Sequence, residues 1–121
     1  MAYIIKLKSH IDKRGCLTAI EKEIPFEIKR VFYLYNLNKN SRGGHRHHSL
    51  TEAIVCLNGS FRITITTKQK KKEYLLDNPK TCLITAPKDF RVLHSFSQDC
   101  IILVLASSLY NKDDYIRNNY K

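Results

Sequence analysis

The chain has 121 residues, 43% of them apolar and 10% aromatic, which is enough for one ordinary core and too little for a two-domain machine or a repeat array. Its 21 Lys and Arg against 11 Asp and Glu give a net charge of +10 at pH 7, which points to an anionic partner such as nucleic acid, acidic lipid or a phosphorylated small molecule. No apolar run approaches the roughly 20 residues that span a bilayer, and the start, Met-Ala-Tyr-Ile-Ile-Lys, has no charged region ahead of a long hydrophobic stretch, so a cytoplasmic protein with no membrane partner is expected.

Short apolar and β-branched runs separated by turn residues recur along the chain, and a helical period is absent before about the last dozen positions. In order, the expected strands are Tyr3 to Leu7, Cys16 to Ile20, Glu27 to Tyr35, Glu52 to Leu57, Ser60 to Thr67, Lys72 to Leu76, Thr81 to Thr85, Phe90 to Phe96 and Ile101 to Ala106. Asn58-Gly59 between two of these runs predicts a two-residue hairpin, because a type I′ turn needs positive φ at both central positions. The basic run Lys68-Gln-Lys-Lys-Lys72 falls between two strands and reads as a solvated hairpin tip; with no aromatic RNA-binding signature or basic helix beside it, nucleic acid is not the expected partner. Near the end, Lys112-Asp-Asp-Tyr-Ile-Arg117 predicts a short helix or a docked tail. About nine short strands without interposed helices make an all-β sandwich or jelly roll, read as one domain over residues 1–121.

The cysteines at 16, 56, 82 and 100 show no Cys-x-x-Cys spacing, and three of them lie within apolar runs. They read as free thiols in a reducing compartment rather than as a disulfide or zinc framework.

The chemistry concentrates after a polar loop, Asn36 to Gly44, that leads into Arg42-Gly-Gly-His45-Arg-His47-His-Ser-Leu-Thr-Glu52. In an extended strand residues two apart share a face, so His45 and His47 project together. His45-x-His47 with Glu52 and Gly59 at the observed spacing resembles the first cupin motif, His-x-His-x4-Glu-x6-Gly. The later segment in which metal-binding cupins place a further His reads Pro87-Lys-Asp-Phe-Arg91-Val-Leu-His94, with Val92 at the ligand position, so no metal is expected.

The resemblance narrows over nearly the whole chain. Asp12-Lys-Arg-Gly-Cys-Leu-Thr-Ala-Ile-Glu21, Ile24-Pro-Phe-Glu-Ile-Lys-Arg-Val-Phe-Tyr33, Arg42-Gly-x-His-x-His, Cys56-Leu-Asn-Gly-Ser60, Phe96-Ser-x-Asp-Cys100, Val104-Leu-Ala-Ser107 and Asp114-Tyr-Ile-Arg117 are similar to the sugar-nucleotide 3,4-ketoisomerases of the WxcM-like cupin family. The resemblance implies a cupin jelly roll, a homodimer and no metal or cofactor. The implied substrate is dTDP-4-keto-6-deoxy-D-glucose, whose ketone moves from C4 to C3 on the way to 3-amino sugars of surface glycans or antibiotics.

A ketone at C4 acidifies the C3 hydrogen, so one base can take that proton, leave an enediol and return a proton to C4. Histidine suits both steps. His47 is expected to be the shuttle and His45 the neighbour that steadies the oxygens. Arginine's planar fork matches phosphate oxygens, which makes Arg42 and Arg14 candidates for the diphosphate or sugar. Tyr33 and Tyr35, of equal strand parity ahead of the loop, are candidates to stack on or hydrogen-bond the substrate. Many relatives carry Trp-His where this chain has Phe90-Arg91. Arg91 is therefore expected at the sugar as a fixed cation, with a single histidine moving the proton along one face to the gluco product. A metal-dependent cupin enzyme and a non-catalytic sugar-nucleotide-binding module are the competing classes.

Overall fold

Val, Ile, Thr and aromatic side chains suit a pleated, half-buried surface, and the runs rich in them form most strands of the computed structural model, which describes residues 1–120. In chain order these are β1 (Tyr3–Lys6), β2 (Lys8–Asp12), β3 (Gly15–Ala19), β4 (Arg30–Leu34), β5 (Arg42–His47), β6 (Glu52–Asn58), β7 (Phe61–Thr66), β8 (Lys71–Leu76), β9 (Thr81–Thr85), β10 (Phe90–His94), β11 (Ile101–Ala106) and β12 (Tyr115–Ile116). The described residues contain no α-helix; a 3₁₀ turn at Lys112–Asp114 leads into β12.

Two five-stranded sheets face each other, in the orders β1-β9-β6-β11-β4 and β12-β5-β10-β7-β8, with β2-β3 as a separate hairpin. Their pairings are antiparallel, and from β4 to β12 the chain passes from one sheet to the other at every connection except the β7-β8 hairpin, as in a jelly roll. Ile54, Ile102 and Val104 of the first sheet pack against Phe61, Ile63, Ile65 and Leu93 of the second. The other face of β6, Ala53 and Val55, is covered by Leu7 and Ile24 from the N-terminal segment together with Cys82, Ile84 and Leu105. Burial on both faces explains why β6 reads as a continuous apolar run rather than an alternating one.

The expected Asn58-Gly59 hairpin does not form. β6 pairs with β9 and β11, whereas β7 pairs with β8 and β10, so Asn58-Gly59 is the corner where the chain crosses between sheets. Only Gly59 has positive φ, +72°, and a Cβ there would lie 2.1 Å from Ser97 Oγ. Close approach to the Ser97–Cys100 segment, rather than type I′ geometry, is what requires the glycine.

Strands β2, β5 and β12 are not among the expected ones: β2 and β5 carry few residues of high β propensity, and β12 is only two residues long, set by its pairing with β5. β5, Arg-Gly-Gly-His-Arg-His, becomes a strand through its partners on either side, β10 and β12. Gly43, at φ +87°, lets it pass Arg91, whose carbonyl oxygen would stand 2.8 Å from a Cβ. The C-terminal segment is the docked tail, with Tyr115 opposite His47 and Ile116 opposite Arg46. The Lys68–Lys70 turn between β7 and β8 is exposed, as expected, and closes through Thr67 N–H donating to the Lys70 carbonyl at 2.8 Å.

Candidate active site

Alternation along five strands aims one set of side chains into a cavity of about 230 Å³ between the sheets. Arg30, Phe32 and Leu34 come from β4, Glu52 and Ile54 from β6, and Val104 from β11. The facing sheet supplies Arg42, Gly43 and His45 from β5 and Arg91 and Leu93 from β10, while Tyr110 and Tyr115 close the cavity from the C-terminal segment.

The two histidines of β5 share a neighbourhood but not the same exposure. His45 lines the cavity and is half-buried; His47 stands behind it, 1% exposed, with the two rings edge-on at 4.8 Å between centroids. The Tyr115 ring lies against both, 4.5 Å from His45 and 4.7 Å from His47. Asp114 Oδ2 sits 3.1 Å from His47 Nδ1. Burial by itself would raise the Asp114 carboxyl, but the Ser49 hydroxyl and the backbone N–H groups of Leu50 and Ser49 donate to it and hold its pKa below the ordinary value. A carboxylate accepts only, so Nδ1 of His47 carries the proton and Nε2 is bare. That Nε2 is buried without a hydrogen-bond partner among the described residues.

Both imidazoles are held neutral. Burial, then the positive charge of Arg91, lowers His45 from its ordinary value, and the same two causes bring His47 down to about 4.

Arg91 reaches the cavity wall as expected, yet its guanidinium is not available to a ligand. Nε donates to the Asp89 carbonyl at 3.2 Å. Nη1 donates to Glu52 Oε1 and, at 3.0 Å, to Thr85 Oγ1. Nη2 donates to the Ala86 and Asp89 carbonyls at 2.9 and 3.1 Å. All five N–H groups are committed, so the expected contact with the sugar is corrected: Arg91 is a fixed cation, but a buried one that hydrogen-bonds only protein groups. Glu52 is its counterion, a pairing that the His-x-His-x4-Glu spacing did not suggest.

Arg42 lines the cavity as expected, and Arg30, missed by the sequence reading, joins it. Neither guanidinium donates a hydrogen bond within the described residues, and Arg30 lies over the Phe32 ring at 4.4 Å. Strand parity was the available signal for Arg30: it shares a face with Phe32 and Leu34, whereas Val31, Tyr33 and Tyr35 are exposed on the opposite side. Tyr33 and Tyr35 are therefore corrected out of the cavity; their rings pair with each other at 5.8 Å on the outer surface. Arg14 also lies elsewhere, at the β2-β3 tip, its side chain 84% exposed and bound to Asp12 at 2.7 Å. Tyr110, Asp114 and Tyr115 were also missed as site residues, since a tail's docking position is decided by tertiary pairing. Among the described residues no group of three or more His, Cys, Asp or Glu is arranged to hold a metal ion.

The family model described as FdtA: WxcM-like, C-terminal matches residues 1–121. The chain is 43% identical over 123 residues to a TDP-4-oxo-6-deoxy-alpha-D-glucose-3,4-oxoisomerase of Aneurinibacillus thermoaerophilus, covering 98% of this chain and 88% of the relative. Among solved structures, it is similar to a histidine-to-asparagine mutant of the 3,4-ketoisomerase QdtA from Thermoanaerobacterium thermosaccharolyticum in complex with TDP-4-keto-6-deoxyglucose, at 40% identity and TM-score 0.92, over 97% of this chain and 87% of that one. A 3,4-ketoisomerase from Helicobacter canadensis is similar at 36% identity and TM-score 0.93, over 97% and 90% of the two chains.

Proposed function

The chain belongs to the FdtA family, WxcM-like, and from that premise we propose that it is a dTDP-sugar 3,4-ketoisomerase converting dTDP-4-keto-6-deoxy-D-glucose into a dTDP-3-keto-6-deoxyhexose. The observation that carries the reading is a neutral, half-buried His45 on the wall of a small cavity rimmed by two uncommitted guanidinium groups, Arg30 and Arg42. At about 230 Å³ the cavity is smaller than the roughly 300–1,000 Å³ of typical ligand pockets. It suits the reacting hexose, with the diphosphate held at the arginines and the nucleoside outside.

His45 takes the C3 proton, the C4 carbonyl becomes the enolate oxygen, and His45 returns a proton to C4. This reverses the two histidine roles expected from the sequence. Supporting the reversal, His45 lines the cavity and His47 does not; a proton carrier must come within hydrogen-bond reach of the atom it serves. His47, fixed by Asp114, and Tyr115 hold the His45 ring in place. Arg91 adds a fixed positive charge that keeps His45 unprotonated and ready to accept.

We retain the gluco configuration at C4: with the position of Arg91 unable to carry a proton, a single imidazole serves one face of the enediol. A large H4–H5 coupling in the product is expected by NMR; a small one means the galacto product and removes this part of the proposal. The protein is further read as a cytoplasmic homodimer supplying 3-keto sugars for transamination in surface-glycan synthesis. Supporting a dimer, Ile11 and Leu17 of the separate β2-β3 hairpin and Val31, Tyr33 and Tyr35 of the β4 region are exposed, and two-stranded hairpins are marginal without a packing partner. Arg14 at the hairpin tip could then meet substrate only in a neighbouring copy. A monomer by sedimentation at micromolar concentration would refute the dimer.

The activity is tested by incubating the protein with dTDP-4-keto-6-deoxyglucose in deuterated water. Wild type should wash deuterium into the sugar and form the 3-keto isomer, and His45→Asn should lower both by about 10²-fold or more. Wild-type rates in His45→Asn would return the shuttle to His47.

A further inference from the structure

Moving a ketone from C4 to C3 transfers two protons, not one. Besides the carbon-bound proton carried from C3 to C4, the hydroxyl proton of O3 must leave and O4 must gain the proton it keeps as the hydroxyl of the product. One imidazole occupied with the carbon-bound proton cannot hold both oxygens. The second group must be able to donate and accept in the same protonation state, which a hydroxyl does and a guanidinium does not.

Resting on the ketoisomerase reading, we propose that the Tyr115 hydroxyl is the oxygen-to-oxygen relay of this site, giving its proton to O4 of the enediolate and taking the proton of O3. The cavity lining restricts the choice. Arg30, Arg42 and Arg91 donate only, Glu52 is occupied by Arg91, and Phe32, Leu34, Ile54, Leu93 and Val104 are apolar. Tyr110 and Tyr115 remain. Tyr110 is 60% exposed and its ring contacts neither histidine. Tyr115 is half-buried and packs on both His45 and His47, so its ring is fixed beside the imidazole that handles the carbon-bound proton. Its hydroxyl makes no hydrogen bond within the described residues. Burial raises Tyr115 above the ordinary phenol value, so it stays protonated at neutral pH and can donate.

The step balances without an oxidant or a cofactor. His45 takes the C3 proton, the C3–H electrons form the C3=C4 bond, and O4 becomes anionic. Tyr115 protonates O4, and its phenolate takes the O3 proton. The O3 electrons then form the C3 carbonyl as the C3=C4 bond takes the proton from His45 at C4, leaving imidazole and phenol as they began.

The relay predicts a changed partition of the enediolate rather than a uniform loss. In Tyr115→Phe the ring that supports both histidines is kept and only the hydroxyl is removed. In deuterated water, C3 exchange into recovered substrate should stay within about threefold of wild type while formation of the 3-keto product falls by about 10²-fold, the lower range for loss of acid–base assistance. The ratio of exchange to product therefore rises. Exchange and product falling together would assign Tyr115 a merely structural role and overturn the proposal, as would wild-type values for both, or a shifted ratio in Tyr110→Phe instead. Failure of the underlying reading looks different: wild type itself would neither exchange nor isomerise, and the proposal would fall with it.

Discussion

The carboxylate of Asp114 accepts the Nδ1 proton of His47 at 3.1 Å, tying β5 to a residue 67 positions further along the chain. The same carboxylate takes the Ser49 hydroxyl and the Ser49 and Leu50 backbone N–H groups, so the turn after β5, the histidine tautomer and the C-terminal strap are set by one side chain.

Asp114→Ala leaves the His47 Nδ1–H and the Leu50 N–H without their acceptor, each worth about 1–3 kcal/mol when buried and unpaired, whereas the exposed Ser49 groups can turn to water. Loss of stability in chemical denaturation is expected together with a fall in kcat, by about 10–10²-fold as for other partners that orient a functional histidine, while KM changes little. An unchanged kcat would disconnect the Asp114–His47 pair from the reaction.

The acid limb of the activity should lie below the ordinary histidine value of about 6.5. His45 works as a neutral base, and its burial and Arg91 both lower its pKa. A kcat/KM profile measured from pH 4 to 8 tests this. A limb at or above the ordinary value would mean either that His45 is not the base or that the field of Arg91 does not reach it.

Stability should rise with pH over the window from about 4 to about 6.5. His47 titrates at about 4 in the fold and near 6.5 in the unfolded chain. Between these values the unfolded state binds the extra proton, so stability is complete above the unfolded value and is lost as pH falls through the window. Denaturation midpoints at pH 7 and pH 5 should differ in that sense in wild type and differ less in His47→Asn. An equal dependence in the two proteins would place the acid sensitivity elsewhere.

Breaking the buried Arg91–Glu52 pair should be costly, since one uncompensated charge is left inside. Arg91→Met is expected to lose about 3–5 kcal/mol of stability, read from urea or thermal unfolding. A surface-like loss under about 1 kcal/mol would contradict the buried geometry.

The thiols should divide sharply in the native protein. Burial pushes Cys56 and Cys82 up to about 12 and raises Cys100 as well, whereas Cys16 is exposed. Reaction with an aromatic disulfide reagent should label Cys16 rapidly and the other three only on unfolding; rapid labelling of Cys56 or Cys100 would show that the core between the sheets opens, and of Cys82 that the N-terminal segment lifts from β6.

Local composition was enough for the β class, for most strand positions and for the histidine pair. Alternation and turn residues act over a few neighbours, and the His45-x-His47-x4-Glu52 spacing needs only strand geometry to be read. What the sequence left open depended on partners distant along the chain. Asn58-Gly59 has the local chemistry of a hairpin, but its flanking strands pair in different sheets. Parity put Tyr33 and Tyr35 together without saying which face of β4 meets the cavity, and packing chose Arg30, Phe32 and Leu34. Arg91 looked like a contact to the hexose because its place along the chain puts it at the cavity; Glu52, Thr85 and two backbone carbonyls, assembled from β6, β9 and the turn before β10, use up its donors. The order of the two histidines is likewise a tertiary property: Asp114 and Tyr115 pack against β5 around a buried His47, and His45 faces the cavity.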